Sequence, residues 1–125
     1  MDLVDFNDTQ RQALLDLAVL GMYADGHLTA AEDKRVERLL TGMGFGPETD
    51  YERTRQYDAA VARVSRYAGK PQEIQEQVRT LALNFTTPEQ RRFVHNILHD
   101  LVAADGGITP PESVFLATVR QSLQI

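Results

Sequence analysis

The chain has 125 residues, no cysteine and a formal net charge of −5. This length suits one domain, and the lack of cysteine excludes disulfides and a thiolate metal site. The acidic balance argues against nucleic-acid binding, which needs a positive surface. No apolar run approaches the roughly 20 residues of a membrane span. The N-terminus is acidic and lacks the apolar core of a secretory signal, so we expect a cytoplasmic protein.

Apolar residues recur at helical spacing along the whole chain, and no segment alternates as a half-buried strand does. In chain order, the apolar stripes cover residues 14–24, 36–43, 57–68, 74–85, 94–101 and 115–123. We therefore predict an all-α bundle of six or seven helices that forms one domain over residues 1–125. The number is open because residues 47–68 can form one long helix, or a short helix and then a longer one.

Several helix starts carry the capping-box pattern, in which the first and fourth residues each satisfy a backbone N–H group of the new helix. The predicted boxes pair Thr9 with Gln12, Thr29 with Glu32, Thr87 with Gln90, and Thr109 with Glu112. Prolines that suit a first helical position accompany several starts, namely Pro47, Pro71, Pro88 and Pro110.

The sequence also repeats itself at a separation of 80 positions. The phrase ADGHLTAAE begins at residue 24, and its counterpart ADGGITPPE begins at residue 104. Apolar positions match on both sides of the phrase, from Leu14 with Val94 to Met43 with Leu123. We interpret residues 8–43 and 88–123 as two helix–loop–helix units. Two copies are too few for a solenoid, so we predict a pseudo-twofold pairing that places the two Asp-Gly loops near each other.

This repeated phrase, ADG-x-[LI]-T-x-x-E, resembles the TerB family, which is named for tellurite resistance, over nearly the whole chain. Similar domains stand at the N-terminus of the DjlA co-chaperones, but the chain ends at Ile125, so no J-domain role is expected. The resemblance implies a helical stress-response module with acidic, metal-responsive surfaces. The family often has a second acidic residue after the phrase. Asp33 supplies it in the first copy, whereas Ser113 stands there in the second.

Each phrase also aligns with the back half of an EF-hand loop. The early ligand positions of such a loop need carboxylate side chains. Gly21 and Tyr23 stand there in the first copy, and Leu101 and Ala103 stand there in the second. A single-loop calcium site is therefore not expected. In one interpretation the acidic residues are structural, as capping and turn residues. In the other, the two loops face each other and bind Ca²⁺ or Mg²⁺ through four carboxylates, those of Asp25, Glu32, Asp105 and Glu112.

A basic stretch follows the first unit. It is either a solvated helix face or a surface for an acidic protein partner, and its candidate residues are Arg53, Arg55, Arg63 and Arg66.

His95 and His99 share a helix face, but no third ligand is evident, and we favour a solvated or half-buried pair. No nucleophile motif is found. We therefore expect a non-enzymatic interaction module, and keep as alternatives a metal-dependent enzyme and a metal-free helical interaction domain.

Overall fold

In a computed structural model, the chain is described over residues 5–23, 34, 36–39, 41, 50–67, 70–103 and 108–125. These ranges contain helices α1 (Asp8–Met22), α2 (Asp50–Val64), α3 (Pro71–Ala82), α4 (Pro88–Val102) and α5 (Pro110–Leu123). A 3₁₀ turn, Ser65–Tyr67, follows α2, and residues 34, 36–39 and 41 are also helical. None of the residues in these ranges lies in a β-strand. The predicted all-α fold is thus confirmed.

Three predicted helix starts are confirmed. Thr87 caps α4 through a box with Gln90, Thr109 caps α5 through a box with Glu112, and α3 begins at Pro71. The predicted start of α1 is wrong, because its box joins Asn7 and Gln10 rather than Thr9 and Gln12. Asn is a strong cap in its own right, and the earlier start lets the Gln10 side chain reach a distant part of the fold, as described below.

Helix α1 is the centre of the bundle. Every residue from Ala13 to Met22 is buried, and α1 packs against α2, α3, α4 and α5. A helix that is buried on all sides needs apolar or small residues around its whole circumference, and ALLDLAVLGM fits that need apart from Asp16. The largest fully buried side chains include three phenylalanines, Phe6, Phe85 and Phe115. Phe6 packs on Phe85 with ring centroids 5.6 Å apart, which joins the segment before α1 to the turn after α3.

Gly21 shows how tightly α1 is enclosed. A Cβ atom built on Gly21 would lie 2.7 Å from Cε2 of Phe115, a ring from α5 that is 2% exposed. Real carbon atoms do not approach so closely, so the absence of a side chain at residue 21 is what allows α1 and α5 to pack at this point.

Candidate functional site

Of the four carboxylates predicted as metal ligands, the structure describes one. Glu112 lies in the first turn of α5, whereas Asp25, Glu32 and Asp105 fall outside the described residues. Within the described ranges, no group of three or more His, Cys, Asp or Glu side chains is placed to hold a metal ion. The predicted cluster of four carboxylates is therefore untested.

Glu112 is buried, at 4% exposure, and works as a capping residue. Its Oε1 accepts hydrogen bonds from the backbone N–H of Thr109 at 2.9 Å and from the Thr109 hydroxyl at 2.9 Å. The Thr109 hydroxyl oxygen accepts in turn from the Glu112 backbone N–H at 3.4 Å. One carboxylate oxygen is thus committed to the start of α5, which leaves Oε2 as the oxygen that a cation would have to use.

The two predicted units match closely where both are described. α1 and α4 are each 15 residues long, and the bounds of α4 are those of α1 shifted by 80. Both begin with a capping box whose fourth residue is Gln. Both end in the same conformation, with φ −88° and ψ 2° at Tyr23 and φ −84° and ψ 2° at Ala103. The two ADG phrases therefore follow equivalent helix ends.

The two units also touch through equivalent residues. Gln10 donates from Nε2 to the backbone oxygen of Asn84 at 2.9 Å and to Oε1 of Gln90 at 3.4 Å. Gln90 is the counterpart of Gln10 in the repeat, being 80 positions further along the chain. In a twofold arrangement, a residue that touches its own counterpart lies at the axis. The starts of α1 and α4 thus meet as a pseudo-twofold pairing requires.

We expect Gln10→Ala to lower the free energy of unfolding by about 1–2 kcal/mol, because it leaves the Asn84 carbonyl oxygen without its donor in a part-buried position. It also removes the acceptor of the Asn7 backbone N–H. The matched variant Gln90→Ala disrupts the equivalent box but spares the Asn84 contact, so its loss should be smaller, at about 1 kcal/mol. Urea unfolding of both variants checks this order, and equal losses would contradict it.

The arginine side chains of the basic stretch lie in different environments. The Arg63 guanidinium forms a bidentate ion pair with Asp16 of α1, with Nη2 to Oδ1 at 2.8 Å and Nε to Oδ2 at 3.1 Å. Arg55 pairs with Glu52 one turn earlier on the exposed face of α2, with Nε to Oε2 at 3.0 Å. The Arg66 guanidinium lies 5.1 Å from the centre of the Tyr67 ring. The Arg53 side chain lies outside the described part of the chain.

Asp16 is a residue that the sequence analysis missed. Its side chain is 8% exposed, and burial raises the pKa of its carboxyl above the ordinary value, although the hydrogen bonds and charge of Arg63 act in the opposite direction. A lone acidic residue inside the apolar run LLDLAVL was the available signal. Arg63 therefore has a structural partner inside the fold, and its predicted part in binding another protein stays a prediction.

One cavity opens between the first turns of α3 and α5. It has a volume of about 270 Å³ and is lined by apolar side chains, namely Pro71, Ile74, Pro110, Pro111, Val114 and Phe115. Among the residues that the structure describes, no acid, base or nucleophile lines it.

The described features define a class: an all-helical domain in which two capped helices of equal length touch at their starts. The family model of the tellurite resistance protein TerB matches residues 11–125, and the chain belongs to the TerB family. The resemblance seen in the repeated phrase is thereby confirmed. No curated protein and no solved structure gives a significant match. Within the described ranges, no helix has the length and apolar character to cross a membrane.

Proposed function

We propose that the protein is a non-enzymatic interaction module of the tellurite-resistance type, whose two Asp-Gly loops together bind one hard divalent cation, Ca²⁺ or Mg²⁺. Membership of the TerB family supports a tellurite-resistance-associated helical domain. Cation binding, partner binding and a cytoplasmic stress-response role go beyond that membership and belong to the proposal. The rival hypotheses are a metal-dependent enzyme that uses the same carboxylates, and an interaction domain without metal.

The observation that carries the proposal is the contact between Gln10 and Gln90. It supports a pairing of the two units about one axis, and the equivalent ends of α1 and α4 lead into loops with the same acidic pattern. A pairing of this kind would bring Asp25 and Asp105 toward a common place, where like charges repel unless a cation lies between them. Carboxylate oxygens are the ligands that Ca²⁺ and Mg²⁺ prefer.

Glu112 decides which variants can test the cation site. Because its Oε1 caps α5, Glu112→Ala would change helix stability and cation binding together. Asp25 and Asp105 do not occupy the fourth position of a capping box, so Asp25→Asn with Asp105→Asn is the cleaner change. Glu112→Ala then serves as the control that measures the capping contribution alone, without added cation.

The test is thermal and urea unfolding of the tag-free chain, with Ca²⁺ or Mg²⁺ titrated against a chelator. Cation at one hundred times its dissociation constant should raise the free energy of unfolding by about 2.7 kcal/mol, by mass action. The double variant should fold with unchanged helical circular dichroism and lose this stabilisation. If neither cation shifts the unfolding transition of the natural sequence, the cation-binding part of the proposal is wrong and the metal-free interaction domain is favoured.

The partner surface is assigned to the exposed arginines of the segment from α2 to the 3₁₀ turn. Arg55 and Arg66 are exposed, and neither takes part in the core. Charge reversal at Arg55 and Arg66 would therefore change an acidic partner's binding without unfolding the domain. Arg63 should be left in place, since its guanidinium pairs with the buried Asp16.

A further inference from the structure

His95 and His99 form a pair of imidazoles on α4 that the proposed function does not use. They are four positions apart, which places side chains one above the other on one face of a helix. Their ring centroids are 6.4 Å apart, and the ring planes differ by 33°. His95 is half-buried and the side chain of His99 is 50% exposed, so a cation in solvent can approach both rings.

The surroundings of His95 favour a neutral imidazole ring, which can donate a lone pair. Burial, the nearby His99 and the Arg120 guanidinium all hold the pKa of His95 below its ordinary value, although a hydrogen bond with Asn96 opposes them. Nδ1 of His99 lies 3.6 Å from a carboxylate oxygen of Asp100. Metal binding requires deprotonated imidazole.

We propose that His95 and His99 bind one divalent transition-metal ion of the Zn²⁺, Ni²⁺ or Cu²⁺ class through their ring nitrogens, with water completing its coordination. Imidazole nitrogen prefers these cations, whereas the carboxylates of the Asp-Gly loops suit Ca²⁺ and Mg²⁺. The site does not rest on the proposed function. Rotation of the two side chains is needed to bring both nitrogens within about 2.0–2.1 Å of one ion.

The composition leaves few other side chains that could compete for such a cation. The chain has no cysteine and three histidines, so imidazoles are its strongest ligands for such cations, and His27 is the one histidine outside the pair. Two charged groups near the rings act in opposite directions on a bound cation. Asp100 attracts it and Arg120 repels it, and the Arg120 Nε donates to the backbone oxygen of Ile125 at 3.2 Å.

The experiment is calorimetric titration of the tag-free full chain with ZnCl₂, together with His95→Gln, His99→Gln and the control His27→Gln. The natural sequence should bind one equivalent. Either substitution in the pair should weaken binding at least about tenfold, since chelation by two rings is lost, while His27→Gln binds as before. In an NMR spectrum of the ring nitrogens, Zn²⁺ should shift the signals of His95 and His99 and leave those of His27 in place.

Three results would overturn the site: no Zn²⁺ binding by the natural sequence, loss of binding only with His27→Gln, or unchanged binding in both variants of the pair. Asp25→Asn with Asp105→Asn separates this site from the loop site. The double variant should keep Zn²⁺ affinity within experimental error even if it loses its response to Ca²⁺, and a joint loss would assign both cations to the loops.

Discussion

Arg63→Met is expected to lower the free energy of unfolding by about 3–5 kcal/mol at neutral pH, because it leaves the Asp16 carboxylate buried without a counter-charge. The Asp16 side chain is 8% exposed, and both of its oxygens accept hydrogen bonds from Arg63. Arg63 is 36% exposed at its side chain, so water can solvate its guanidinium when Asp16 is removed instead. Asp16→Ala should therefore be less damaging than Arg63→Met. Urea unfolding measures both.

The loss in Arg63→Met should depend on pH in a direction that follows from the pKa of Asp16. Burial already raises that pKa above the ordinary 3.8 in the folded protein, and Arg63 counteracts the rise. Between the pKa of Asp16 in the unfolded chain and its raised pKa in the folded protein, the folded carboxyl holds a proton that the unfolded chain has lost. The free energy of unfolding therefore falls as pH rises through this interval. Without Arg63 the pKa rises further and the interval widens. The difference in unfolding free energy between variant and natural sequence should thus be smaller in acid than at neutrality.

The paired substitution Asp16→Leu with Arg63→Leu is the control for packing. Replacing a buried ion pair by apolar residues is often neutral or stabilising, so the double variant should recover most of the loss. A loss below about 1 kcal/mol in Arg63→Met, with no change between acid and neutral pH, would show that water reaches Asp16 and that the ion pair contributes little.

The starts of α3, α4 and α5 were predictable because local groups decide them. At Thr87 and Thr109, the side chain that satisfies the helix N–H groups and the residue that returns the hydrogen bond are three positions apart in the sequence. Proline at the start adds a second local signal at α4 and α5, and at α3, where no side chain caps the helix, Pro71 is itself the local signal. No distant part of the fold has to be known for these boundaries.

The start of α1 was not predictable in this way, because two local patterns compete within two positions of each other. Asn7 with Gln10 and Thr9 with Gln12 are both acceptable caps. The choice follows a contact with Asn84, which lies 74 positions from Gln10 in the chain. Asp16 is a similar case, since its partner Arg63 is 47 positions away and the pattern of α1 alone names no partner.

The candidate cation site was predicted from the repeat of 80 positions. In the described helices the repeat is seen as the equal lengths and equivalent bounds of α1 and α4. What the repeat does not encode is how far apart the ends of α1 and α4 lie, since that distance depends on the angle at which the two helices cross. The capping role of Glu112, by contrast, was predictable from a spacing of three residues. Gly21 aligns with an early ligand position of a calcium loop, whereas in the structure it has a packing role against Phe115.

Gly21→Leu should lower the free energy of unfolding by about 3 kcal/mol, at the upper end of what overpacking a core costs. The new Cβ alone would lie 2.7 Å from Cε2 and 3.0 Å from Cζ of Phe115, and the remaining carbons would have to displace the ring or the helix. Gly21→Ala is the matched smaller change. Alanine gains about 1 kcal/mol of helix propensity, so its net loss should be much smaller, although the same clash is present.

Phe115→Leu tests whether the ring is the cause. Alone it should be destabilising, because the ring is buried at 2% exposure and its loss leaves a cavity. Combined with Gly21→Leu, it removes Cε2 and Cζ, the two ring atoms nearest to the new Cβ, so the double variant should be more stable than the sum of the two losses predicts. Additive losses in urea unfolding would mean that the backbone, rather than the Phe115 ring, limits the size of residue 21. The helices α1 and α5 would then be held apart by other contacts.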